Sequence, residues 1–153
     1  MIRADVAALF ERRGEAWARR DADALAATHA ERGIAASPLQ GRIQGRQRIR
    51  DAYQGWFTSF PDLVFARRSL LIDGNRVAEF FAVSGTQSAP FHGMPATARR
   101  IDLKGAWLFT IGSDGLITED QRVYDVTGML VQLGVLKARP SSGDGAAARP
   151  TAP

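Results

Sequence analysis

The chain has 153 residues, of which 45% are hydrophobic and 24% are charged, a length and composition that suit one globular domain with its own core. It contains no cysteine and only two histidines, which excludes disulfides, thiolate metal sites and cysteine nucleophiles and argues against a multi-histidine metal site. The formal net charge is +4, but the basic residues form no stripe with interleaved aromatic side chains, so we expect no nucleic-acid partner. Pairs such as Arg12-Arg13 are interpreted as solvated helix faces.

The sequence also predicts where the protein resides. Residues 1–5 lack the apolar core of a signal peptide. No apolar run is long enough to span a bilayer. We therefore expect a cytoplasmic protein without a membrane partner.

Hydrophobic periodicity predicts a helical first half. The elements in chain order are a helix over residues 3–20, a second short helix from Asp21 to Ala30, an extended segment over residues 34–38, a turn over residues 41–45 and an amphipathic helix from Arg46 to Phe60. Asp21 is the expected N-cap of the second helix, and Pro61 is expected to stop the third.

Four strands and a short terminal element are predicted in the second half. The strands span residues 63–72, 76–86, 100–111 and 116–124, and a short helix or turn follows from Asp125 to Leu136. Asp73-Gly74-Asn75 is a hairpin signal between the first two strands. Helices followed by antiparallel strands indicate an α+β domain over residues 1–137. Residues 138–153 are small, polar and proline-rich, which predicts a disordered tail.

Two blocks in the second half carry a family resemblance. They run from Pro90-Phe91-His92-Gly93-Met94-Pro95 to Arg100 and from Asp120-Gln121-Arg122-Val123-Tyr124-Asp125 to Gly134. Their residues and spacing resemble the signature segments of the SnoaL-like polyketide cyclases, a branch of the nuclear transport factor 2-like superfamily. The resemblance implies a cone-shaped barrel in which a strongly bent antiparallel sheet packs on three helices around an apolar interior.

The resemblance also implies an activity and partners. Such cyclases close a ring of a hydrophobic, often aromatic or polycyclic, carbonyl compound by proton transfer, without metal or cofactor. One aspartate moves the proton while pocket groups stabilise the enolate. Members of the superfamily often pair through the open face of the sheet, so the resemblance implies a homodimer.

The chain departs from the family at the positions that carry the chemistry. Arg122 stands where the resemblance places the acid/base aspartate, and Trp107 stands where it places a pocket histidine. Ser37 occupies the position of the base in the related steroid isomerases. Arginine stays protonated and cannot act as a general base. A shift of one residue in the alignment would instead bring Asp120 or Asp125 inward.

Four residues are candidates for catalysis. Asp125 is either a general acid/base or the N-cap of the segment that follows it. Asp120, Arg122 and Tyr124 share one face of a regular strand. Arg122 could bind a carboxylate or polarise a carbonyl. Alternatively, Arg122 and an aspartate form an ion pair at the rim of the cone. His92, before Gly93, is either a base at the pocket mouth or an exposed loop residue.

Aromatic and apolar residues are candidates for the walls of a ligand pocket. They are Trp107, Trp56, Phe60, Phe81 and Tyr124, with Phe91 and Met94 from the first signature block. Glu79 lies in an otherwise apolar strand and is expected at the surface. His29 is expected on the second helix in a structural role.

These residues leave two functions open. The first is a cofactor-independent cyclase, isomerase or lyase in which Asp125 or Asp120 moves protons and Arg122 stabilises negative charge. The second is a binding protein, or a cyclase that has lost its base, that holds an acidic aromatic ligand through Arg122. Epoxide hydrolysis or hydroxylation on the same scaffold is a weaker alternative, because no convincing pair of inward carboxylates is evident.

Overall fold

The computed structural model describes residues 3–137. The tail predicted over residues 138–153 lies outside the described residues. The elements in chain order are α1 (Arg3–Arg19), α2 (Ala22–Ala27), β1 (His29–Ser37), β2 (Gly41–Gln44), α3 (Arg46–Ser59), β3 (Val64–Asp73), β4 (Arg76–Thr86), β5 (Arg100–Ile111), β6 (Ile117–Tyr124) and α4 (Val126–Gln132). None of the described helices is long and apolar enough to cross a membrane.

The predicted α+β class is confirmed, and the sheet contains more strands than the sequence indicated. Its six strands are ordered β2-β1-β6-β5-β4-β3. All neighbouring strands are antiparallel except β1 and β6, which run parallel. Breaks in register occur in the β1–β6, β3–β4 and β5–β6 pairs. Such irregularities increase twist and bending, which lets the sheet curl around its own inner face.

The second helix is shorter than predicted, and this moves His29. The helix ends at Ala27, and Thr28 closes it by donating from Oγ1 to the Leu25 carbonyl at 2.6 Å. His29 therefore begins β1 rather than lying on the helix. Gly33 permits the close approach of β1 to β6, because a Cβ there would lie 3.2 Å from the carbonyl oxygen of Ile117.

The inner face of the sheet forms the core together with α1 and α3. Phe10 and Trp17 from α1 and Tyr53 from α3 are buried against Trp107 and Phe109 of β5. The expectation that Glu79 lies at the surface is wrong. Glu79 pairs in register with the inward-facing Trp107 and is 1% exposed.

Candidate functional site

An apolar cleft opens from the inner face of the sheet. It is lined by Trp17, Trp56, Leu63, Phe65, Phe81, Val83, Leu103, Trp107, Arg122 and Tyr124. Trp107, Trp56, Phe81 and Tyr124 were predicted as walls, and within residues 3–137 Arg122 is the one charged residue that lines the cleft. A mostly apolar cleft with few polar groups is the usual form of a small-molecule site.

The cleft is narrow. The empty volume of the cleft, including its open mouth, is about 430 Å³. The centre of a water molecule can move through only about 40 Å³ of this volume. The second figure corresponds to about three waters. Phe81 narrows the cleft by lying over Gly105, where a Cβ would come within 2.5 Å of the Phe81 ring. A planar ring system therefore fits only if the aromatic walls move apart.

Arg122 points into the core from the middle of β6. Its side chain is 8% exposed, and its guanidinium carbon lies 4.6 Å from the Trp107 ring centroid and 5.1 Å from that of Tyr53. Its Nε donates to Asp120 Oδ1 at 3.2 Å. Its Nη2 is buried and has no hydrogen-bond partner among the described residues. Arg122 thus contributes a positive charge to the cleft lining and keeps one buried N–H group without a partner among the described residues.

Asp120 lies on the same strand face and is occupied by three donors. Its Oδ2 accepts from His29 Nε2 at 2.9 Å, and its Oδ1 accepts from Trp107 Nε1 at 3.0 Å as well as from Arg122. Burial alone would raise the pKa of Asp120, but the charge of Arg122 and the hydrogen bonds from His29 and Arg122 hold that pKa well below its usual range. Asp120 is therefore ionised at neutral pH and is a weak base.

His29 completes this buried network from the start of β1. It is fully buried, and burial is the main cause that lowers its pKa. Since an ionised carboxylate only accepts hydrogen bonds, neutral His29 carries its proton on Nε2 and donates it to Asp120. The sequence offered no signal for this contact, because the two residues are separated by 91 positions.

The sequence matches the profile of a known family. The profile described as SnoaL-like polyketide cyclase matches residues 7–133. The chain belongs to the SnoaL-like polyketide cyclase family. No curated protein sequence is a significant match to it.

Solved structures share the fold of this family member. TsrD from Streptomyces laurentii superposes with a TM-score of 0.77 at 27% identity, covering 89% of this chain and 99% of TsrD. AclR from Streptomyces galilaeus, described as a candidate hydroxylase, superposes with a TM-score of 0.76 at 24% identity. The match covers 90% of this chain and 86% of AclR. IdmH from Streptomyces antibioticus, described as a candidate polyketide cyclase, superposes with a TM-score of 0.70 at 23% identity. The match covers 84% of this chain and 98% of IdmH.

Asp125 lies outside the cleft of this SnoaL-like domain. Its side chain is exposed and accepts from the backbone N–H of Gly128 at 2.8 Å, as the N-cap of α4. Around it are Asp102 and Lys104 near the start of β5 and Gln132 at the end of α4. Of the two interpretations of Asp125, the geometry fits the cap.

Replacing Asp125 with alanine is therefore expected to affect stability alone. Loss of an N-cap costs about 1 kcal/mol, while ligand binding in the cleft should remain unchanged. Urea denaturation and ligand titration of Asp125→Ala measure the two effects, and Asp125→Asn, which keeps a capping oxygen, is the control. A loss of ligand affinity by more than tenfold in Asp125→Ala would contradict this prediction and indicate that Asp125 acts in ligand binding.

Phe60 and the candidate residues of the first signature block lie beside the cleft rather than in its lining. His92 is exposed, has a left-handed backbone with φ of 45°, and packs its ring 4.5 Å from that of Phe91. Phe60 and Phe91 are buried and pack behind Trp56. Met94 is partly buried against the core. None of these four is among the lining residues, so their predicted contact with ligand would require movement of Trp56.

The site also contains residues that the sequence analysis assigned elsewhere. Arg13, interpreted as part of a solvated helix face, is 0% exposed and lies over the Trp107 ring. Tyr53, which was not a candidate site residue, contacts Arg122 with its ring and accepts a hydrogen bond from Arg13 at 3.0 Å with its hydroxyl. Among residues 3–137, no group of three or more His, Asp and Glu side chains is placed to hold a metal ion.

Proposed function

We propose that this SnoaL-like protein is a cofactor-independent enzyme of the cyclase or isomerase type that stabilises the enolate of a hydrophobic aromatic carbonyl compound through Arg122. Membership of the polyketide cyclase family supports a cyclase-type role. The observation that carries the finer proposal is that Arg122 lines a mostly apolar cleft and has a buried Nη2 without a hydrogen-bond partner among the described residues. A positioned cation in such surroundings stabilises a developing oxyanion far more than it does in water.

The proposal gives Asp120 a positioning role. With its oxygens engaged by His29, Trp107 and Arg122, its carboxylate is a poor proton acceptor and a good anchor for the guanidinium. We therefore expect a substrate whose C–H group lies between two carbonyls, because solvent can deprotonate it once Arg122 holds the enolate oxygen. The enolate carbon then forms a bond to a third, more distant carbonyl carbon of the same molecule, whose C=O π bond breaks, and the resulting alkoxide takes a proton from water.

A non-catalytic alternative is favoured by one specific observation. Among the described residues, those that line the cleft include no Asp, Glu or His that could act as a base. The chain would then bind an acidic aromatic ligand with its carboxylate on Arg122. This alternative requires tight binding of the ligand and no turnover.

One experiment distinguishes the two functions. The protein is incubated with polycyclic enones, polyketide methyl esters and their free acids, and complexes and products are followed by native mass spectrometry and chromatography. A cyclised or isomeric product whose formation depends on Arg122 supports the enzyme. A stable complex that prefers free acids and forms no product supports the binding protein. Formation of product at the full rate by Arg122→Met would contradict the enolate-stabilising role.

We also propose that two copies pair through the outer face of the sheet. Leu71, Phe80, Leu108 and Val123 on this face are 43% to 60% exposed. They lie on the neighbouring strands β3, β4, β5 and β6, at positions close to one another across the sheet. Lys104 and Glu119 are exposed on the same face, toward opposite ends of the β5–β6 pair. A twofold axis can therefore place Lys104 of one copy opposite Glu119 of the other copy.

Sedimentation equilibrium tests this pairing. The wild type is expected to sediment as a dimer, and Leu108→Lys as a monomer, because the substitution buries a charge in the apolar contact. Thr58→Lys, on the exposed side of α3, is the control and should stay dimeric. A wild type that remains monomeric at high micromolar concentration would contradict the proposal.

A further inference from the structure

A fully buried arginine on α1 has no part in the function proposed above. Arg13 is 0% exposed, and its Nη1 and Nη2 donate to Thr28 Oγ1 at 2.7 Å and to the Tyr53 hydroxyl at 3.0 Å. Its Nε has no partner among the described residues. The ion pairs formed within residues 3–137 do not include Arg13. Burying a charge without a counter-ion is costly, which points to a role beyond packing.

Arg13 and Arg122 approach the same two aromatic rings. The guanidinium carbon of Arg13 lies 5.5 Å from the Trp107 ring centroid, and that of Arg122 lies 4.6 Å from it. Tyr53 contacts both, through its hydroxyl and its ring respectively. Because the first two distances share one centroid, the two guanidinium carbons are no more than about 10 Å apart, a range over which buried charges still interact.

The charges around these rings do not balance. Asp120 is ionised and pairs with Arg122, while His29 is neutral, with burial and the charge of Arg13 both lowering its pKa. Glu79, the other buried carboxylate on the inner face among the described residues, pairs with Arg67 at 2.7 Å. The group formed by Arg13, Arg122, Asp120 and His29 therefore carries a net positive charge.

We propose that Arg13 determines specificity: its unpaired charge makes the cleft prefer an anionic ligand, a carboxylate or an enolate, to a neutral ligand of the same shape. The inference rests on the proposed function, in which Arg122 is the group that meets the anion. Arg13 need not touch the ligand. At about 10 Å, the upper limit for the two guanidinium carbons, and at an effective dielectric constant of about 20, a unit charge changes the affinity for an anion roughly tenfold.

The test compares one anionic and one neutral probe of nearly equal shape, 2-naphthoate and 2-naphthamide. Their dissociation constants are measured by calorimetry for the wild-type full chain, Arg13→Met, which removes the charge, and Arg13→Lys, which keeps it. Arg13→Gln, which keeps an amide donor, is a second neutral variant in case Arg13→Met does not fold. Circular dichroism and urea denaturation establish that each variant is folded.

The ratio of the two dissociation constants separates the outcomes, because a purely structural role would weaken both probes alike. We expect the wild type and Arg13→Lys to prefer 2-naphthoate, and the neutral variants to lose about tenfold in affinity for 2-naphthoate alone. An unchanged ratio in a folded neutral variant overturns the role of Arg13 and leaves that of Arg122 intact. A wild type that does not prefer 2-naphthoate overturns the proposed function, and this inference with it.

Discussion

Replacement of Arg122 with methionine is expected to lower kcat/KM by a factor of about 10² to 10³, the usual cost of removing one oxyanion donor. Methionine has a similar length and packs against Trp107 and Tyr53 without offering a donor to the cleft. If the protein only binds its ligand, the same substitution should raise the Kd for an acidic ligand by a comparable factor. Steady-state kinetics and calorimetry distinguish these cases.

Arg122→Lys is the matched variant for this prediction. Lysine keeps the charge, but its compact ammonium cannot reproduce a guanidinium whose Nε donates to Asp120 and whose Nη2 remains unpaired. We expect its activity to lie between those of the wild type and Arg122→Met. Full activity in both variants would remove Arg122 from the mechanism.

Replacement of Asp120 with asparagine is expected to destabilise the fold by about 3–5 kcal/mol, because it leaves the buried guanidinium of Arg122 without its counter-ion. The amide also brings donor hydrogens to a position that now accepts from three donors. Urea denaturation at pH 7 measures the loss. Asp125→Asn, on the surface and still able to cap α4, is the control and should change stability by less than about 0.5 kcal/mol.

The same carboxylate makes stability depend on pH. Since the pKa of Asp120 is lower in the folded state than its unfolded value of about 3.9, its contribution is fully present above that value and is lost as pH falls through the folded-state pKa. The wild type should therefore lose stability from about pH 5 downward. Asp120→Asn should lack this component. Parallel acid-induced losses in the two proteins would contradict the assignment.

Local signals predicted the second half of the fold well. The strands over residues 76–86 and 100–111 have the predicted bounds. Their alternating inward residues and the turn before Arg76 are local features that tertiary contacts reinforce. The beginning of β1 was missed because its partner is the distant β6 and its burial does not alternate regularly over His29–Gly33. Parallel pairing of this kind leaves little trace in local periodicity.

The sequence predicted the site only at positions where the alternation of a strand determines which side chains face inward. Alternation along β5 indicated that Trp107 lies on an apolar face, whereas only the family resemblance placed Arg122 inward, with an ion pair at the rim of the cone as the alternative. The contacts that decide their chemistry link distant parts of the chain, namely Asp120 with His29 and Arg13 with Tyr53. Arg13 and Glu79 were assigned to the surface because charged side chains usually lie there. Their burial follows from tertiary packing and, for Glu79, from register.

A crystal structure of the wild type with 2-naphthoate tests the central claim most directly, since that claim concerns where the ligand's negative charge lies. We expect the ring system between Phe81 and Trp107, with a carboxylate oxygen about 2.8 Å from Arg122 Nη2 and Asp120 still hydrogen-bonded to Arg122 Nε. A carboxylate bound elsewhere, with Nη2 still unpartnered, would contradict the assignment of Arg122 as the group that holds the anion.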